Sequence, residues 1–170
     1  MTQRDSVRAF LSSAGSGIRA ANGNVVEIKA DAARTGGRLT VVEGTHRPAT
    51  GPPLHVHDDV DEAFYVLEGE YSIEVGDEVF TATAGDLVFV PRGVPHRFES
   101  KEGGRMLLLY LPGGFDGYFE EREREEQRAG GRLSAEQLDA IGRRHGMRIV
   151  GEGTDSRGAP ARSSTPASPE

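Results

Sequence analysis

Two histidines spaced as His55-Val56-His57 are the first residues in this chain with the types and spacing to do chemistry. In extended backbone successive side chains alternate between faces, so both imidazoles emerge on the same side of a strand. Glu62 comes next, across the polar stretch 58–61, and opens an apolar run, which brings a carboxylate to the same end. A third imidazole, His96, belongs to a separate segment entered through Pro91-Arg92-Gly93 and the stiff Val94-Pro95 step. If these segments are neighbours in a closed sheet, the four side chains point to one spot. Three neutral imidazoles and one carboxylate suit a borderline divalent transition metal: iron, manganese, nickel, cobalt, copper or zinc. The chain has no cysteine, which excludes thiolate ligation. Four protein donors leave an octahedral ion open positions for substrate or oxygen, whereas structural sites are usually closed. Glu62 is then expected both as ligand and as the catalytic base.

Three of the five histidines fall into this one pattern, although a single histidine is more often a surface or satisfied core residue. His46 sits in a Thr-His-Arg-Pro loop and His145 near a helix end, where a cation suits the dipole; both are read as structural or exposed. Asp58, Asp59 and Asp61 beside the ligands are read as a solvated acidic loop, not a second ion site.

The elements that must hold these side chains are short strands. Gly at 23 and Pro at 9 residues promise many turns in a chain of 170 residues, long enough for one domain with a full core. Strand patterns run over 25–30, 38–43, 62–67, 71–75, 79–83, 87–90, 96–98 and 106–111, with Gly, Pro or Asp between them. That rhythm is the one of an all-β sandwich or barrel. Alternation counted from Glu62 and His96 nominates Phe64, Val66, Phe98 and either Leu87 or Phe89 for the apolar wall of a substrate pocket. The run 106–111 is apolar on both faces, so it is either central or covered by a second subunit, and a homodimer is expected.

Around the strands the chain divides into a flexible N-terminal segment 1–24, a barrel 25–112, a helical extension 113–150 and a disordered tail 151–170. In the extension, Phe115, Tyr118 and Phe119 make a brief helical stripe before the charged run 120–128, where Glu120 and Arg124 stand at i,i+4. Ser134 with Gln137 reads as a capping box opening a second helix, and Gly146 as its stop. Both helices are expected outside the barrel. The tail is dominated by Ser, Pro, Ala and Gly and has too little to bury.

A net charge of -7 without a basic arm argues against nucleic-acid partners. No apolar run approaches a bilayer's thickness, and Arg4, Asp5 and Arg8 interrupt any signal-peptide core, so a cytoplasmic protein that does not bind membrane is expected.

At the ligand residues the chain resembles the cupin superfamily. Gly51-Pro52-Pro53-Leu54-His55-Val56-His57 with Glu62 and Gly69 is similar to the first cupin motif, and Gly85-Asp86 with Pro91, Gly93 and His96 to the second, which closes on Ser100 where Asn is usual. The resemblance implies a conical, jelly-roll-like antiparallel β-barrel around one metal ion, and a homodimer. The stretches 111–119 and 146–150 resemble single-domain bacterial cupins similar to quercetin 2,3-dioxygenase. That second resemblance implies an oxygen-using dioxygenase acting on a flavonol-like or other chelating enol or aromatic small molecule. A non-redox metal-assisted isomerase or cyclase, and a small-molecule-binding cupin without catalysis, are the alternatives, because one fold hosts many chemistries.

Overall fold

The computed structural model describes residues 7–15, 18–19 and 23–151. The remainder of the segment 1–24 and all but the first residue of the tail 151–170 lie outside the described residues. In chain order the elements are β1 (Ile18–Arg19), β2 (Val25–Ala30), α1 (Ala32–Thr35), β3 (Thr40–His46), β4 (His55–His57), β5 (Asp61–Val75), β6 (Glu78–Thr83), β7 (Leu87–Val90), β8 (His96–Glu99), β9 (Gly104–Leu111), α2 (Asp116–Ala129), α3 (Ala135–Arg144) and β10 (Met147–Ile149). Among the described residues no helix is long and apolar enough to cross a membrane.

All strand pairings are antiparallel, and β5 joins the two layers of the barrel. Its first half runs between β9 and β7, with Glu62 opposite Tyr110 on one side and Val90 on the other. Its second half runs between β8 and β6, with Ile73 opposite Phe98 and Phe80. Partners change at Gly69, where φ is 87° and the register against β9 has just shifted between Val66 and Glu68. A Cβ on Gly69 would come within 2.6 Å of the Gly103 carbonyl oxygen, so the bend needs glycine. The separate strands expected over 62–67 and 71–75 are therefore one bent strand: glycine turns the chain there without interrupting it.

The inward faces supply the core. Val42, Phe64, Val66, Tyr71, Ile73, Val90, Phe98, Met106, Leu108 and Tyr110 are all buried, each large apolar side chain contributing about 1.5–3 kcal/mol of transfer free energy. β9 lies between β3 and β5 over its length, with Met106, Leu108 and Tyr110 buried on its inner face and Leu107 and Leu109 half-buried on its outer one.

The extension closes back on the barrel. Ser134 accepts from the Gln137 amide, and the Gln137 side chain accepts from the Ser134 amide, the capping box the sequence announces. The pair Glu120 and Arg124 is not among the ion pairs of the described residues; Arg122 meets Glu126 at 3.0 Å and Arg128 meets Glu125 at 2.6 Å. His145 caps α3 and its Nε2 lies 2.7 Å from Glu121 of α2, tying the two helices together. β10 then pairs with β4, setting Met147 opposite His57 and Ile149 opposite His55. The helices are thus anchored across one end of the barrel, with residues on the wall of its cavity, and are not merely appended outside it.

Candidate metal centre

β4 delivers His55 and His57, β5 delivers Glu62, and β8 delivers His96, which pairs across the ladder with His55. One ligand atom from each lies within 4.8 Å of the others. All four side chains are buried, at 6%, 1%, 2% and 1% exposure respectively. Burying this many polar groups together is costly unless they pair with one another or hold an ion.

Backbone carbonyls set the imidazole tautomers. His55 Nδ1–H donates to the Pro53 carbonyl at 2.9 Å and His96 Nδ1–H to the Val94 carbonyl at 2.9 Å, which turns both Nε2 atoms toward the cluster. Both acceptors are made two residues upstream by the rigid Pro-containing approaches of the sequence motifs. His57 is different: among the described residues neither of its ring nitrogens has a hydrogen-bond partner. Its Nε2 is 3.2 Å from Glu62 Oε2, close enough for attraction but not aligned for a hydrogen bond. The ring is held instead by perpendicular contacts with Phe115 at 4.4 Å and Tyr110 at 5.6 Å. A buried imidazole nitrogen without a hydrogen bond, beside a carboxylate and two other imidazoles, is what a divalent ion would satisfy, so the donor set fits such an ion.

Charge in the cluster is internally balanced. Glu62 Oε2 accepts from His96 Nε2 at 2.8 Å, and since His96 also donates through Nδ1, this pair is imidazolium with carboxylate. Burial alone would raise the Glu62 carboxyl, but the imidazoles of His57 and His96 outweigh it and hold the group below the ordinary carboxylate range. For His96, burial alone would lower the imidazole, and the Glu62 carboxylate overcomes it and raises it. His55 is pushed down to about 3, first by burial and then by the charge on His96. Tyr110 is raised well above the ordinary phenol value by burial and by the Glu62 charge, so its hydroxyl stays protonated beside the carboxylate.

The cluster opens on a cavity of about 300 Å³. Barrel residues Val42, Phe98 and Leu108 line it, and Phe115, Tyr118, Phe119 and Arg122 close it from the helical extension. Phe115 stacks on Tyr118 with centroids 5.0 Å apart. Of the residues nominated for the wall, Phe98 lines the cavity. Phe64 and Val66 are wholly buried in the core and do not line the cavity. Phe89 and Leu87 are corrected: they are 54% and 58% exposed on the outer face, while Val88 and Val90 point inward. The four residues of β7 are all apolar, so alternation had no polar position from which to choose the face. The helical stripe Phe115, Tyr118 and Phe119, legible in the sequence but not assigned there to the pocket, lines the cavity together with Arg122. His46, expected in a loop, is the last residue of β3 and lines the same cavity. The acidic loop carries surface ion pairs, Asp58 with Arg148 at 2.8 Å and Asp61 with Arg92 at 3.0 Å, and among the described residues no second cluster of metal donors forms.

Comparison with known proteins agrees with the fold. The family model described as Cupin domain matches residues 41–112. Quercetin 2,3-dioxygenase of Bacillus subtilis is 28% identical over 106 residues, 62% of this chain and 32% of that protein. Acireductone dioxygenase 1 of Pectobacterium atrosepticum is 33% identical over 75 residues, 41% of this chain and 43% of that protein. In both cases the match spans less than half of the relative's length. The structure of KdgF from Halomonas sp. superposes with a TM-score of 0.54 at 20% identity, covering 60% of this chain and 92% of that one.

Proposed function

We propose that this protein, a member of the cupin superfamily through its domain at 41–112, is a metal-dependent dioxygenase acting on a flavonol-like or other chelating enol. His55, His57, Glu62 and His96 would hold one divalent transition metal ion. The observation that carries the reading is the set of four buried ligand side chains, with one atom from each within 4.8 Å of the others, at the edge of an apolar cavity, and with a histidine among them whose nitrogens make no hydrogen bond among the described residues. Two curated relatives that are dioxygenases, each matched over part of its length, support the choice of chemistry.

A divalent ion in such a set polarises the oxygens of a chelating enol-ketone and, if redox-active, couples it to oxygen. The chain's own residues do the rest. Glu62, ionised because the imidazoles beside it favour the charged form, accepts the proton of the enol hydroxyl. Tyr110 keeps its proton and faces that carboxylate, which orients it. Phe98, Phe115 and Tyr118 give a flat ring an apolar slot and exclude water from the reacting end. The outer face of β9, β5 and β7 presents Leu107, Leu109, Tyr65, Leu87 and Phe89 side by side, the surface on which a second copy would pack.

Oxygen uptake by iron-, manganese- or nickel-loaded protein with quercetin and simpler enol-ketones tests the reading. Consumption in the wild type and its loss in Glu62→Gln are expected. No uptake with any of these substrates sinks the dioxygenase reading, and turnover under nitrogen with zinc would point to a non-redox isomerase or cyclase.

A further inference from the structure

We infer that His46 binds the substrate: its Nε2–H, fixed by the phenol of Tyr71, offers a neutral hydrogen-bond donor to an oxygen of the ligand away from the metal-chelating end. The inference deepens the proposed reading of this cavity and rests on it.

His46 belongs to the inward-facing series of β3 that begins with the buried Thr40 and Val42 and continues through Gly44. Like Val42 and Gly44, it lines the cavity. A Cβ on Gly44 would lie 2.7 Å from His46 Cε1 and 2.9 Å from Nε2. The Cε1–Nε2 edge therefore fills the space that an inward side chain at 44 would take, and so faces the cavity interior.

The other edge is fixed in the core. Tyr71 is fully buried, and its hydroxyl lies 2.9 Å from His46 Nδ1, the one hydrogen bond the phenol makes among the described residues. If Nδ1 carried the proton, that bond would use the phenol oxygen as acceptor and strand its O–H in the core with nothing to donate to. The phenol must therefore donate to Nδ1, which places the imidazole proton on Nε2. Burial keeps both groups uncharged: it raises Tyr71 above the ordinary phenol value and lowers His46 to about 4. Phe98 packs against the ring at 4.8 Å and limits its rotation. Among the described residues His46 Nε2 has no hydrogen-bond partner, yet it is not sealed off as the nitrogens of His57 are.

A fixed, neutral donor in an apolar wall selects ligands that bring an acceptor to it, because an analogue lacking one leaves the donor unpaired. The ligand class is thus a compact planar molecule with adjacent oxygens at one end for the ion and a second neutral oxygen, such as a ring hydroxyl, at the other. Quercetin has this design; 3-hydroxyflavone keeps the chelating end and lacks the further ring hydroxyls.

The test titrates both flavonols into the zinc-loaded full-length protein and its His46→Phe and His46→Gln variants, with zinc content measured on each and the His46 imidazole read by nitrogen NMR. The expected results are a proton on Nε2 in the wild type, quercetin bound more tightly than 3-hydroxyflavone, and about a tenfold loss for quercetin alone in His46→Phe, the scale of one hydrogen bond. His46→Gln, which keeps a side-chain N–H, should recover most of that loss, and zinc content should stay constant. Wild-type quercetin affinity in His46→Phe, a proton on Nδ1, or a zinc-loaded wild type that binds neither flavonol would each overturn the inference. Failure of the wild type to hold zinc would strike the metal reading instead, leaving the imidazole spectrum to decide the tautomer.

Discussion

His57→Leu should make the chelator-treated protein more stable while abolishing its response to metal. Among the described residues both ring nitrogens of His57 are buried without a hydrogen bond. Each such group costs about 1–3 kcal/mol of unrecovered desolvation. Against this, the variant gives up the perpendicular ring contact with Phe115 at 4.4 Å, an interaction worth about 0.5–1.5 kcal/mol. The attraction of Nε2 to Glu62 at 3.2 Å offsets its own desolvation, so the cost of Nδ1 is set against the lost ring contact, and the middle of the two ranges gives a gain of about 1 kcal/mol for the variant in the presence of chelator. Metal should reverse the ranking: an ion at a hundred times its dissociation constant stabilises the wild type by about 2.7 kcal/mol and leaves a variant that has lost the site unmoved. Urea titrations of both proteins, with chelator and with saturating metal, measure all four stabilities. If His57→Leu in chelator is no more stable than the wild type, the nitrogens of His57 are not held at a cost, and the case for a ligand set prepared for an ion loses its physical basis.

Stability in chelator should fall as the pH drops from about 6.5 toward 4, because the half-buried His46 and the buried His55, lowered to about 4 and about 3, stay neutral in the fold while the unfolded chain takes up their protons. His46→Phe should flatten that slope by at most about 3 kcal/mol over the window, and an unchanged slope in urea titrations would contradict the assignment. On the outer face, Phe89→Glu places a charge among Leu87, Tyr65 and Leu109, so light scattering should show a dimer in the wild type and a monomer in the variant. A monomeric wild type would rule out that packing.

The ligand set and most strands were legible because their signals are local. His55 and His57 share a face by period two, the Pro-containing approaches to His55 and His96 carry their own stiffness, and the capping box at Ser134 is a four-residue pattern. The features that escaped depended on tertiary context. β10 is only three residues long and exists as a strand because β4 offers it an edge. The inward edge of β7 is set by its pairing with β5, since each of its residues is apolar. His46 sits in a turn-like sequence, yet β3 extends to include it because β9 pairs with it as far as Gly104. Phe115, Tyr118 and Phe119 read as a stripe seeking a core, and nothing local says that this core is the mouth of the cavity.

If His55, His57, Glu62 and His96 hold one metal ion, its content should be measurable by mass spectrometry on protein purified without added metal, alongside His96→Ala. A near-stoichiometric transition metal in the wild type, lost in the variant, is the predicted result. No metal in the wild type, or equal metal in both proteins, would contradict it.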